Sequence, residues 1–195
     1  QIKTPTLSVL KQESKNYLGG AAIVALHLKK AGAKHVKFLT VLGDDPLKKY
    51  VIKELKKNDV EVDAIVDRTR PTTNKHLFIA ANHRLLKVDT LENQPINEEI
   101  LKIFGSKLSK DKSDAVIFSD FRHGIFNQKN IEYLNKHLNK KTYRVADSQV
   151  ASRWGNISEF KKFDLITPNE REARFALMEQ DSSISSLSRN LNKVA

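Results

Sequence analysis

A pair of glycines, Gly19-Gly20, stands directly before a segment whose apolar residues have helical spacing. Glycines at that position let a ligand approach the backbone closely, and the N-terminus of the following helix favours an anion or a hydroxyl-rich group. Paired glycines also occur in ordinary loops, so the pair alone does not distinguish a binding site from a turn. It is not a phosphate-binding loop of the GxxxxGKS/T kind, and the sequence contains no GxGxxG.

Polar residues that could bind a ligand or a metal follow several short apolar runs. They are Asp44, Asp120, Asp147 and Asn169. If these runs are parallel strands, their carboxyl ends lie at one edge of a sheet, where ligands of open α/β sheets bind. The alternative is that each residue is only a turn residue or a helix cap. The sequence leaves both interpretations open.

The apolar runs at residues 36–42, 115–118, 143–146 and 165–166 have the composition of buried strands. Stretches with helical spacing follow them, for example at residues 47–55, 131–138 and 170–177. This alternation predicts βαβ units in an α/β fold, with a mostly parallel sheet flanked by helices. We expect the chain, residues 1–195, to form part of a single domain of this kind.

Residues 64–90 have a different pattern. Runs typical of strands lie at 65–66, 77–80 and 85–88, and only turn-like polar residues separate them. There is no room for crossover helices, so the pattern predicts antiparallel hairpins that form a small lid sheet over the crevice.

The 195 residues carry a net charge of +11 and contain no cysteine. A nucleic-acid surface, solvated lysine-rich helix faces and an anionic phosphorylated substrate could each account for the charge. The lysines are spread along the chain without interleaved aromatic residues, which favours solvated helices and predicts no nucleic-acid partner. The sequence also has no apolar run of membrane-spanning length and no N-terminal apolar signal core, so we expect no membrane association and a cytoplasmic location.

Five segments together resemble a known family. They are GGAAIVA at 19–25, VLGDD at 41–45, RPTTNK with NHRLLKVD at 70–75 and 82–89, SDFRHG at 119–124, and LITPNERE at 165–172. Their types, order and spacing are similar to those of the ribokinase-like (PfkB) carbohydrate kinases, over roughly residues 14–180. The third and fourth segments narrow the resemblance to the heptose-phosphate kinase branch.

The resemblance implies ATP and Mg²⁺ as cofactors, a sugar or sugar-phosphate substrate, and a possible homodimer formed through the lid. It also implies roles for eleven residues. Substrate binding would involve Gly19, Gly20, Lys75, Asn82, Lys87, Asp89, Asp120, Arg122 and His123, while Asn169 and Glu172 would place the magnesium–nucleotide complex. Such a set suits phosphoryl transfer, which needs cations near anionic oxygens and carboxylates near magnesium. The alternative for the lysines is an exposed strand position. For Asn169 it is a helix N-cap, and for Glu172 a first-turn helix residue favoured by the helix dipole.

The chain departs from the family pattern at three places. Ile23 stands where the family usually has Asn, His123 replaces a lysine, and Asp147-Ser148-Gln149 replaces the usual DPK. Because histidine is mostly uncharged at neutral pH, His123 would hold a phosphate less firmly than lysine. These departures point to a divergent branch that takes another sugar or sugar phosphate.

Two regions expected of the family have no counterpart here. Nothing in Gln1–Tyr17 resembles its N-terminal strand with an acidic substrate-binding motif, and the GAGD turn that supplies the general base and anion hole does not occur before Ala195. We therefore expect kinase activity in the parent protein and negligible activity in this chain alone. The alternatives are a catalytically inactive sugar-phosphate-binding or regulatory module and a basic nucleic-acid-binding protein.

Overall fold

The computed structural model describes residues 8–149 and 157–194. Strands and helices alternate along these residues in the order α1 (Ala21–Lys30), β1 (Lys37–Leu42), α2 (Pro46–Lys57), β2 (Glu61–Val66), β3 (Asn74–Ala80), β4 (His83–Thr90), α3 (Glu98–Ser109), β5 (Ala115–Asp120), α4 (Gln128–His137), β6 (Tyr143–Ser148), a 3₁₀ turn (Ile157–Glu159), β7 (Leu165–Ile166), α5 (Glu170–Leu177) and α6 (Ile184–Val194). None of the described helices is both long and apolar enough to cross a membrane.

Parallel strands form the body of the protein. β1 pairs with β2 from Lys37↔Glu61 to Leu42↔Val66, and β5, β6 and β7 pair side by side in that order. Helix α2 connects the first pair and α4 connects β5 to β6, as expected for βαβ units. The predicted α/β fold with mostly parallel strands flanked by helices is confirmed.

The main core lies where the helices cover these strands. Phe118 of β5 stacks on Phe126 with ring centroids 4.9 Å apart, and it meets the edge of Phe163 at 5.1 Å. Phe160 and Leu134 are fully buried in the same cluster, which also includes Ile65 of β2. Burying one such side chain stabilises a fold by about 1.5–3 kcal/mol. This shared cluster packs both groups of parallel strands into one unit.

Side-chain caps begin four of the helices. Asp45, Asn97, Asn127 and Asn169 each accept a hydrogen bond from a backbone N–H three residues later. Each cap contributes about 1 kcal/mol, because it satisfies a donor that has no partner inside the helix. The Asp and Asn residues that follow strands therefore direct the chain into the next helix.

β3 and β4 form an antiparallel two-stranded ribbon, which is the predicted lid. A two-residue turn joins them, with Ala81 at φ 47° and Asn82 at φ 63°, as in a type I′ hairpin. The prediction that the hairpins begin near residue 64 was wrong. Ile65 and Val66 pair in parallel with Val41 and Leu42, because Ile65 is buried in the main core of the body.

Candidate active site

A crevice of about 1630 Å³ lies beside the ribbon. Its lining includes the carboxyl ends of β1 and β5 and the whole of β3, as well as the segment that leads into α1. Six of the predicted substrate-binding residues line the crevice: Gly19, Gly20, Lys75, Asn82, Asp120 and His123. Residues far apart in sequence thus meet at the strand ends, which is where α/β folds bind ligands.

The glycine pair borders this crevice, and few protein atoms lie over its backbone. Gly20 precedes the first turn of α1 with φ 55°, and its carbonyl accepts from the Ile23 N–H at 3.1 Å. A Cβ on Gly20 would lie 3.6 Å from the Phe121 ring, whereas a Cβ on Gly19 would meet no atom within 4 Å. The space next to the Gly19 backbone is therefore open, and binding of a ligand there stays a prediction.

The ribbon presents only part of its predicted set to the crevice. Lys75 lies opposite Asp89 in the strand register, and Lys75 and Asn82 line the crevice. The Lys87 ammonium lies 2.8 Å from the Asp89 carboxylate, and neither residue is part of the described lining. The structure therefore brings Lys75 and Asn82 to the site and engages Lys87 and Asp89 with each other.

Asp120, at the end of β5, is 2% exposed and holds the loop that follows it. One carboxylate oxygen accepts from the Arg122 backbone N–H at 2.7 Å, and the other accepts from the Ser148 hydroxyl and lies 3.1 Å from Arg122 Nε. Burial raises the pKa of Asp120, although the Arg122 charge and these hydrogen bonds oppose the effect. Its direct contact with a sugar stays a prediction.

Arg122 is held inside the protein, because its side chain is 5% exposed. Besides Asp120, its guanidinium lies 3.1 Å from the Glu159 carboxylate. The residue has φ 59°, a backbone conformation that L residues rarely adopt. Arg122 is not part of the described crevice lining, so the structure does not bring it to the predicted phosphate position.

His123 does line the crevice, next to the second connection of the ribbon. Its Nδ1 lies 3.1 Å from the Asn93 amide oxygen. Nδ1 carries the proton if it donates this bond, because an amide oxygen can only accept. Among the three residues predicted around SDFRHG, Asp120 and His123 are brought to the crevice and Arg122 is not.

Asn169 and Glu172 form a capping box at the start of α5. The Asn169 amide oxygen accepts from the Glu172 N–H at 2.9 Å, and Glu172 Oε2 accepts from the Asn169 N–H at 2.8 Å. Such reciprocal bonds satisfy two backbone donors at once. Neither residue is in the described crevice lining, and their role near a nucleotide stays a prediction.

The remaining strand-end acids have local partners. Asp44 pairs with Lys48 and with the exposed Arg68, and Asp147 accepts from the Thr167 hydroxyl at 3.1 Å. Of the polar residues predicted to gather at one crevice, only Asp120 is in its described lining. Asn169 is a helix cap and Asp44 lies in the bend before α2, as in the alternative, whereas Asp147 lies within β6.

Comparison with known proteins decides the family. The profile of the pfkB family of carbohydrate kinases matches residues 2–195. The chain belongs to this family. The resemblance inferred from the five segments is therefore confirmed, and the crevice of this pfkB-family chain coincides with its family-like glycine pair, lid and SDFRHG loop.

Relatives and solved structures agree with this assignment. The chain is 35% identical over 200 residues to the bifunctional protein HldE of Helicobacter pylori strain HPAG1, and 31% identical over 159 residues to HldE of Sulfurimonas denitrificans. These matches cover 98% and 80% of the chain, but 41% and 32% of those proteins. The chain thus spans about two fifths, or less, of the length of these curated relatives.

Two solved structures show the shared fold. Phosphofructokinase-2 of Escherichia coli in complex with fructose-6-phosphate gives a TM-score of 0.69 at 13% identity, over 90% of this chain and 59% of that one. Ribokinase from Giardia lamblia gives 0.63 at 15% identity, over 86% and 52%. At such low identity the likeness establishes the fold of a pfkB-family kinase and nothing finer.

Sequence reasoning missed several residues that shape the site. Asp45 caps α2 through one oxygen and accepts from the Thr72 N–H at 2.7 Å through the other. The Thr72 hydroxyl accepts from the Gly43 N–H at 3.1 Å, so the GDD segment anchors the start of the ribbon. Burial would raise the pKa of Asp45, but the donors on Thr72 and Lys48 leave it below its ordinary range.

The described residues do not by themselves fit a magnesium ion. They contain no group of three or more His, Asp or Glu side chains arranged to hold a metal. The two residues predicted on the magnesium side, Asn169 and Glu172, are engaged in the capping box.

Proposed function

We propose that the parent protein transfers the γ-phosphoryl group of ATP to a sugar or sugar phosphate, with a heptose 7-phosphate-like compound as the first candidate. Membership of the pfkB family implies the kinase class and ATP as the donor. Mg²⁺ is expected to accompany ATP. The residues described here would form the sugar-binding part of that protein.

The observation that carries the proposal is the composition of the crevice. The glycine pair supplies open backbone, while Lys75 and His123 come from the ribbon and from the loop after β5. Open backbone at a helix N-terminus suits hydroxyl or anionic groups, and a lysine ammonium suits a phosphate oxygen. All of these residues line one volume next to the carboxyl ends of β1 and β5, which supports the proposal.

In such a transfer the γ-phosphorus–oxygen bond to ADP breaks, and a new bond forms to a sugar hydroxyl whose proton passes to a base. The residues assigned here bind and orient the sugar, and we assign the base to none of them. Holding the sugar in one geometry lowers the activation barrier of the transfer, because the orientational entropy is already lost when the sugar binds.

Calorimetric titration tests the binding part of the proposal. We expect the chain to bind sedoheptulose 7-phosphate more tightly than unphosphorylated sedoheptulose. Lys75→Ala should weaken binding of the phosphate by roughly 10- to 150-fold, since a lost charge-assisted hydrogen bond costs about 1.5–3 kcal/mol. Lys102→Ala, an exposed lysine on α3, is the matched control. Equal affinity for the two sugars, or equal effects of the two substitutions, would contradict the assignment.

Transfer is tested separately with ATP and the same sugars. We expect the parent protein to convert ATP to ADP in proportion to the sugar phosphate formed, and the 195-residue chain to bind sugar without measurable transfer. Sugar-phosphate binding by the parent protein without any turnover would favour the regulatory alternative over a kinase.

We also propose that two copies of the chain associate through their ribbons. Every residue of β4 is exposed, and apolar side chains that a lone ribbon leaves in water include Ile79, which is 60% exposed, and Leu86, which is 56% exposed. A two-stranded ribbon is marginal without a covering partner. Ile79→Ser should lower the mass measured by light scattering from dimer to monomer, whereas Ile184→Ser, at a 68% exposed site on α6, should not. A monomeric wild-type chain would contradict this.

A further inference from the structure

The ribbon joins the body through two connections, and one side chain touches both. The first root, residues 67–73, leads into β3, and the second root, residues 91–96, follows β4. A third segment, the loop at residues 121–124 after β5, carries His123. The guanidinium of Arg70 lies where these segments meet, and its side chain is 8% exposed.

Each nitrogen of this guanidinium contacts a different part of the junction. Nε donates to Asp67 Oδ2 at 2.8 Å within the first root. Nη2 donates to the carbonyls of Gln94 and Pro95 in the second root, at 3.3 and 3.4 Å. Nη1 donates to the carbonyl of His123 at 3.4 Å. Only a planar group with several donors in fixed directions can hold three segments in this way.

The partner of Arg70 is itself fixed to the body. Asp67 is 3% exposed, and its backbone N–H donates to the Leu42 carbonyl at 2.9 Å, which continues the pairing of β1 with β2. Its Oδ1 accepts from the N–H and the hydroxyl of Thr69 at 2.9 and 2.6 Å. The charge of Arg70 is therefore held at a constant position relative to the parallel strands.

The second root and the loop after β5 are in close contact at the same place. The Ile96 N–H donates to the Gly124 carbonyl at 2.9 Å, and His123 meets Asn93 through Nδ1. A Cβ on Gly124 would lie 3.1 Å from Arg70 Nη1. A shift of the guanidinium would thus disturb both the ribbon and the loop that presents His123.

We propose that Arg70 is a positioning residue for the site: it sets the ribbon, with Lys75, and the His123 loop at a fixed separation, so that both reach the same ligand. This rests on the proposed function only insofar as the ligand is a sugar phosphate. Arg70 acts through the two roots and the loop, and its own role needs no contact with the ligand.

Amide hydrogen exchange of the ligand-free chain tests the mechanical part. Lysine keeps the charge but has a single nitrogen, so in Arg70→Lys we expect amides of β3 and β4 to exchange about 10-fold faster while those of β5 and β6 keep their rates, as for local opening of one unit. Arg68→Lys is the matched control, because Arg68 is two residues away and its side chain is 86% exposed. Asp67→Asn, which removes the partner charge at similar shape, should reproduce the Arg70→Lys pattern.

Three results would overturn the proposal: equal ribbon exchange in Arg70→Lys and Arg68→Lys, unchanged ribbon exchange in Asp67→Asn, or equal acceleration in the ribbon and in β5. The last would mean a general loss of stability without a positioning role. All three are independent of whether the chain binds a sugar.

A double-mutant cycle with sedoheptulose 7-phosphate then tests the functional part. Arg70→Lys should weaken binding by about 10-fold in the wild-type background and by clearly less in a His123→Ala background, because coupled residues are non-additive and only the positioning of Lys75 is then left to lose. Equal losses in both backgrounds would overturn the proposal. If the wild-type chain does not bind the probe at all, the proposed function fails, and the exchange rates alone decide the role of Arg70.

Discussion

Gly124→Ala is the substitution whose effect the structure specifies most sharply. A Cβ on Gly124 would lie 2.1 Å from the Gln94 carbonyl oxygen and 3.0 Å from its carbon, and the residue has φ 87°. Both obstacles are backbone atoms, so a side-chain rotation cannot relieve them. The second root or the loop must move, although the bond between Ile96 and Gly124 holds them together.

Two costs add at this position. A left-handed conformation costs an L residue about 1–2 kcal/mol, and overpacking costs about 1–3 kcal/mol. We therefore expect Gly124→Ala to lower the free energy of unfolding by about 2–5 kcal/mol, which corresponds to a fall of roughly 4–20 °C in Tm for a chain of this size. Equilibrium unfolding in urea, followed by circular dichroism, measures the first quantity directly.

Other glycines separate the two costs. Gly32 has φ 103° with nothing within 4 Å of a Cβ, whereas a Cβ on Gly43 would lie 2.5 Å from the Arg70 carbonyl oxygen. Gly32→Ala should therefore show the conformational cost alone, Gly43→Ala the packing cost alone, and Gly19→Ala neither. A loss for Gly124→Ala no larger than for Gly32→Ala would refute the close contact between the two segments.

Two further substitutions address the caps. Asp45→Ala should cost about 2–3 kcal/mol at pH 7, because it removes the cap of α2 and leaves the Thr72 N–H without its acceptor. The pKa of Asp45 is lowered in the folded state. The stability that its carboxylate contributes is therefore present above the unfolded pKa of about 4 and is lost as pH falls through the folded pKa. Over that range, the difference in the free energy of unfolding between wild type and variant, measured in urea, should shrink. Asn169→Ala should cost about 1 kcal/mol through the capping box of α5, a loss that thermal unfolding at pH 7 measures; an unchanged Tm would show that the cap does not stabilise this helix.

Much of the fold followed from local patterns. Apolar runs of strand length alternate with helical spacing, and this predicted the parallel strands and their crossover helices. Asn169 with Glu172 could be recognised as a possible cap because the pair is three residues apart, within one turn. The same locality explains the error at Ile65-Val66: the run is typical of a strand, but its parallel partner, β1, lies in another segment of the chain.

The amino-acid sequence was sufficient to predict the family, the α/β class, the antiparallel ribbon and the residue types available for binding a sugar phosphate. Tertiary structure alone decided which of them share a crevice: Lys75 and His123 do, whereas Lys87 is paired with Asp89 and Arg122 is held by Asp120 and Glu159. It also decided the junction at Arg70, whose contacts span 24 and 53 residues along the chain. Periodicity and capping depend on neighbours within a few residues, while these contacts depend on how whole elements pack, which no local pattern encodes.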